Sequence, residues 1–108
     1  MRFAVQLTDD AARDLEEIFD YVCRQGTSGR ADHVLKRIEE TFQALAAFPE
    51  RGSHPSELLE LGIREYQEVF FKPYRIIYRL LDDAVYVLVI ADGRRDMRAL
   101  LQQRLMRA

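Results

Sequence analysis

Residues 74–95 read YRIIYRLLDDAVYVLVIADGRR, and this stretch decides the fold. Its first half alternates: Tyr74, Ile76, Tyr78 and Leu80 stand opposite Arg75, Ile77, Arg79 and Leu81. A period of two is the mark of a strand whose faces see different surroundings. Asp82-Asp83 is a tight hairpin connection, since short acidic residues tolerate the turn backbone. Ala84 to Ala91 is apolar at every position. Such a run predicts a central strand covered on both faces. Gly93 is the turn residue at the strand exit, and two arginines come after it.

Working back, Ile63 to Phe71 reads as another strand. Ile63, Val69 and Phe71 take one face, and Arg64, Tyr66, Glu68 and Phe70 the other. Lys72-Pro73 makes the turn. The stretch from Pro49 to Gly62 is irregular; Leu58, Leu59 and Leu61 hold it against the core. Further back come two amphipathic helices. Ala11, Ala12, Leu15, Ile18, Phe19 and Val22 share one face of the first, which Thr8 caps and Gly26 ends. Ala31, Val34, Leu35, Ile38, Phe42 and Leu45 share one face of the second, capped by Thr27 or Ser28 and stopped by Pro49. Arg2 to Leu7 alternates and predicts an N-terminal strand whose partner the pattern leaves open. Past Arg95, Asp96 caps a last short helix, with Met97, Leu100, Leu101 and Leu105 opposite Arg98, Gln102 and Arg107.

The order strand, helix, helix, three strands, helix predicts an α+β fold. An antiparallel helix hairpin packs on a mostly antiparallel three- to four-stranded sheet. At 108 residues the chain is a single domain, 1–108, able to bury a core without staples. One cysteine, Cys23, leaves no intrachain disulfide and no cysteine-built metal site, and it reads as a half-buried inert thiol. The apolar runs fall well short of the roughly 20 residues of a membrane span, and Asp9-Asp10 interrupt any secretory leader. The expected compartment is the cytoplasm.

Catalytic constellations are weak. His33 reads as an exposed helix residue. His54 has Ser53 and Glu57 nearby but no oxyanion site or positioned acid. The acidic pairs are explained by helix dipoles, turns and solvated faces. Neither a catalytic set, a metal site nor a cofactor is expected. The arginines stand out instead. Net charge is −2, yet residues 61–108 carry nine basic side chains against six acidic, and lysine occurs only twice. Arg64, Arg75 and Arg79 fall on strands; Arg94, Arg95 and Arg98 come after the central one. Ion pairing and solubility explain such a set, as does an anion-facing surface at one end of the sheet.

The chain resembles the ParE/RelE family of bacterial toxins from type II toxin–antitoxin modules. The match runs through Ala12-Arg13-Asp14-Leu15, Ile18, Tyr21, Ala31, Ile38, Leu45, Pro49, Gly52, Gly62-Ile63-Arg64, Tyr74-Arg75-Ile76-Ile77-Tyr78 and Gly93-Arg94-Arg95-Asp96. RelE-like members cut mRNA on the ribosome with basic residues and a tyrosine or histidine near the C-terminus. Here no histidine or tyrosine occurs after Tyr86. ParE-like members inhibit DNA gyrase and stabilise its cleaved DNA complex. The resemblance therefore implies a gyrase-binding toxin neutralised by a ParD-like antitoxin in a toxin–antitoxin hetero-oligomer, meeting operator DNA only through the antitoxin. The alternatives are a ribosome-dependent mRNA interferase or a detoxified antitoxin binder. Candidate target-binding residues are Arg64, Arg75, Arg94, Arg95 and Arg98. Candidate antitoxin-binding residues are Leu15, Ile18, Phe19 and Arg79, although for the first three the core reading is the stronger.

Overall fold

The computed structural model describes residues 2–107. The elements are β1 (Ala4–Leu7), α1 (Asp9–Gln25), α2 (Ser28–Gln43), α3 (Ser56–Leu59), β2 (Tyr66–Phe71), β3 (Tyr74–Leu81), β4 (Ala84–Asp92) and α4 (Met97–Arg107). The caps fall where the sequence puts them. Thr8 accepts from the Ala11 N–H, Thr27 from the Arg30 N–H and Asp96 from the Ala99 N–H, each at 3.1 Å. These bonds satisfy amides that a helix start leaves without partners. The hairpin residue Asp82 has φ +57°, the left-handed conformation that aspartate tolerates.

The sheet runs β1-β4-β3-β2, so β4 is interior, as its apolar run requires. The β2–β3–β4 meander is antiparallel, whereas β1 pairs parallel to β4, Ala4 with Ala84 through Leu7 with Val87. That pairing is the partner the sequence left open. Two boundaries also differ from the expectation. Ile63–Glu65 is not strand, so Arg64 sits in the loop ahead of β2. Within the irregular stretch, Ser56–Leu59 winds one helical turn, α3.

Each face of the sheet has its own core. On one, Ala11, Ile38, Phe42 and Leu45 from the helix hairpin and the short turn after it pack on Ile76, Tyr78, Val85, Val87 and Ile90. On the other, Met97, Leu100 and Leu101 of α4 and Leu58 of α3 pack on Tyr66, Ile77, Leu88, Val89 and Ala91. The short last helix gains from this docking the stability its length denies it. The two cores also explain a local irregularity. Ile77 pairs with Val89 and Tyr78 with Val87, so Leu88 is an extra residue, and Leu88 and Val89 both face α4.

Tyr78 is fully buried, and its hydroxyl anchors the loop over β2. It donates to the Pro49 carbonyl at 2.7 Å and accepts from the Gly52 N–H at 3.1 Å. A Cβ on Gly52 would lie 2.6 Å from the Glu68 carbonyl oxygen, so only glycine fits there. Tyr78→Phe strands both loop groups and should cost about 1–3 kcal/mol. A chemical-denaturation curve within a few tenths of the parent would show that water replaces the hydroxyl. The same loop covers the outer edge of β2: the Ser53 N–H donates to the Glu68 carbonyl at 3.1 Å, and the Glu68 N–H to the Ser53 carbonyl at 2.7 Å. By strand alternation the Phe70 N–H also faces outward, beyond that cover.

Candidate functional site

The candidate arginines do not form one surface. Arg75, the second residue of β3, lies opposite Ala91, beside the turn that carries Arg94 and Arg95. Arg64 and Arg79 lie toward the other end of the sheet, where Arg79 pairs with Tyr66. There the Arg79 guanidinium sits 5.9 Å from the centre of the Tyr66 ring, in reach of its π face.

Arg75 is enclosed. Its Nη1 and Nη2 donate to both oxygens of Glu57 at 2.9 and 2.7 Å, and its Nε to Glu68 at 2.7 Å. Only 12% of the side chain is exposed, so two carboxylates neutralise one guanidinium out of water. The fork of donors matches a carboxylate on each side, which lysine cannot do. The hydrogen bonds from Arg75 hold the Glu57 carboxyl down at about 2, from an ordinary 4.5. A carboxylate with a depressed folded-state pKa contributes stability above its unfolded value and loses it as pH falls through the folded one. This pair therefore stabilises the fold above pH 4.5 and is lost between 4.5 and 2. Glu57→Gln should flatten the stability profile across that window in acid titrations followed by circular dichroism; an unchanged profile would mean other carboxylates govern acid unfolding.

Arg98, in the first turn of α4, is paired with Glu60, and both side chains are largely exposed. Arg94 donates to Asp92 within the turn from its backbone N–H at 2.9 Å, Nε at 2.9 Å and Nη2 at 2.6 Å, yet 82% of its side chain remains in solvent. This contact holds the Asp92 carboxyl below the usual carboxylate range. Arg95 and Arg64 are exposed and carry no ion pair among the described residues. Leu15, Ile18 and Phe19 are half-buried, and the first two pack against the core under the helix hairpin.

A further arginine escaped the sequence reading. Arg104 of α4 is buried and reaches across the sheet edge to Asp14 of α1, also buried. Its Nη1 bonds Asp14 Oδ2 at 3.0 Å and the Leu88 carbonyl at 2.8 Å, and its Nη2 bonds Asp14 Oδ1. Asp14 Oδ2 also accepts from the Ile90 N–H at 2.9 Å. The pair thus satisfies the edge of β4 just where β1 has ended, and ties together helices on opposite faces. Arg104 Nε is buried without a partner among the described residues. The signal was present in the spacing: Arg104 stands three and four residues from Leu101 and Leu100, inside the apolar stripe.

Beside this pair a groove of about 610 Å³ runs between α1 and the rest of the β4 edge. Ile18, Tyr21, Tyr74 and Ile90 line it, with Arg94 and Arg95 at one end. A second groove, between α3 and α4, is apolar, with Leu58, Leu61, Ile63, Leu101 and Leu105 along it. Leu61 and Met106 beside it are 70% and 82% exposed. Clusters of metal-ligating side chains are absent among the described residues, and no described helix is long and apolar enough to cross a membrane.

A small sheet with α1 and α2 on one face and α3 and α4 on the other is the toxin fold that the resemblance implies. The model of the ParE toxin of the type II toxin–antitoxin system parDE matches residues 5–97, and the chain belongs to that family. It is 36% identical over 94 residues to Toxin ParE3 of Caulobacter vibrioides, covering 87% of this chain and 90% of that protein. In structure it is similar to a chain of the chromosomal ParDE system from P. aeruginosa, with a TM-score of 0.72, 19% identity, and coverage of 84% and 96%. It is also similar to a chain of the RelBE2 toxin–antitoxin complex from Mycobacterium tuberculosis, with a TM-score of 0.62, 22% identity, and coverage of 85% and 92%.

Proposed function

We propose that this chain acts by binding: it inhibits DNA gyrase, stabilises the cleaved DNA complex, and is held inactive by a ParD-like antitoxin in a toxin–antitoxin hetero-oligomer. One observation carries the choice against an RNA-cutting mechanism. Cleavage by a 2′-hydroxyl needs a cation free to meet the scissile phosphate and a group to move protons. Arg75 is already paired with Glu57 and Glu68; Arg64 and Arg95 remain exposed, but no histidine or tyrosine occurs after Tyr86 to move the proton. The last helix presents Met97, Leu100 and Leu101 to the sheet. Surfaces suited to protein contact remain: the exposed Arg94–Arg95 turn and the apolar groove between α3 and α4.

The test is a supercoiling assay with purified protein and a readout of cleaved DNA. Inhibition with trapped cleaved DNA supports the proposal. Codon-linked cleavage of translated mRNA, with supercoiling untouched, would replace it with the interferase reading. The double variant Arg94→Ala, Arg95→Ala should weaken inhibition roughly tenfold or more while the melting temperature stays put, because exposed charges contribute little to stability. Full potency in the double variant would move the contact elsewhere.

A further inference from the structure

One row of side chains crosses all four strands. Gln6 of β1 is paired with Tyr86 of β4, Tyr86 with Arg79 of β3, and Arg79 with Tyr66 of β2. Side chains of residues paired in a sheet share a face. Tyr66 belongs to the core under α4, and Tyr86 packs against it, so the row lies on the α4 side. It spans about 14 Å, three strand spacings. The helix leaves this end of the face open: Ala4 and Gln6 are exposed. Leu81, two residues past Arg79 on the same face of β3, is 48% exposed.

Arg79 is the uncommitted member of the row. Arg75 and Arg104 are each bound to carboxylates. Arg79 is half-buried and rests over the Tyr66 ring, with no hydrogen bond or ion pair among the described residues. A guanidinium partly withdrawn from water, stacked and with its donors unused, is set up for an oxyanion. The surroundings decide whose oxyanion it is. Glu65, Asp82 and Asp83 are exposed near this end and carry no ion pair among the described residues, so they repel a phosphodiester backbone. Leu81 offers an apolar side chain, which a nucleic-acid backbone does not use. Tyr66, Arg79, Leu81 and Tyr86 line neither of the two grooves described above, so a threaded peptide has no channel here. A broad rigid face with tyrosine and arginine at its centre and mixed charge around it fits a folded protein.

We infer that this row is laid against the surface of gyrase, with Arg79 donating to a gyrase carboxylate. The inference rests on the proposal that gyrase is the target. Tyr86 and Leu81 supply the apolar contact, and Glu65, Asp82 and Asp83 meet basic side chains at the rim. The groove between α3 and α4 opens on the same side of the sheet, so one partner covers both.

The test is charge reversal on a folded toxin, read as binding to purified gyrase and as inhibition of supercoiling. Arg79→Glu should weaken both at least about tenfold. Its melting temperature should stay within a few degrees, because Arg79 has no ion pair to lose. Lys36→Glu, the same charge change at an exposed position on the hairpin side, should leave both near the parent's values. If Arg79→Glu does not fold, Leu81→Gln at the open end of the face decides instead, with a loss of at least about threefold expected. A folded variant at either position with the parent's potency, or an equal loss in Lys36→Glu, overturns the inference and leaves the gyrase reading standing. A parent protein that neither binds nor inhibits gyrase overturns that reading and the inference with it.

Discussion

Arg104→Ala is expected to cost about 3–5 kcal/mol of folding stability, since it leaves the Asp14 carboxylate buried and without its cation. For a domain of this size the melting temperature should fall by roughly 15–30 °C. The Leu88 carbonyl loses its partner as well, which adds to the loss. Arg104→Met should do no better than alanine, because filling the volume does nothing for the stranded charge. Arg104→Lys should recover part of the stability: the ammonium restores the charge but cannot fork across both Asp14 oxygens and the carbonyl. A thermal melt of Arg104→Ala within a few degrees of the parent would show that water enters the site and the pair contributes little.

Arg75→Ala should be nearly as damaging, at about 3 kcal/mol or more, because Glu57 and Glu68 then share a largely buried site with no cation between them. The loss should shrink as pH falls, since a proton on Glu57 relieves the repulsion. Adding Glu57→Gln and Glu68→Gln should restore much of the stability at neutral pH. An Arg75→Ala protein as stable as the parent would instead mark Arg75 as a surface cation held ready for a ligand. The point bears on function. If the residue is structural, loss of toxicity in this variant reports unfolding, and only a variant shown to be folded informs the mechanism.

Most of the fold was legible because each element declares a period. The hairpin helices, β3 and the all-apolar β4 emerge from spacing alone, and period two already places Glu68 and Arg75 on one face of their strands. Three features were not legible, for a common reason: each depends on residues far apart in sequence. The β1–β4 pairing joins Ala4 to Ala84, and neither strand encodes the other's register. The Arg75 site draws Glu57 from a stretch with no period, which hid its single turn of helix. Arg104 and Asp14 are charged side chains set on two apolar stripes, and that placement is the one local sign of their burial. The site was less legible than the fold. The sequence supplies a set of arginines, but the structure decides which are satisfied internally and which are left for a partner.

The parallel pairing of β1 with β4 also sets an order on the chain's birth. The helix hairpin is synthesised early, but the strands that complete the core beneath it come late, and the Asp14–Arg104 tie spans 90 residues. A nascent chain that has not yet released β4, Ala84–Asp92, holds α1 and β1 without their sheet. Contacts this distant in sequence form slowly. The N-terminal strand and first helix should thus emerge from the ribosome without a core and gain one only after β4 and α4 are free to dock on them.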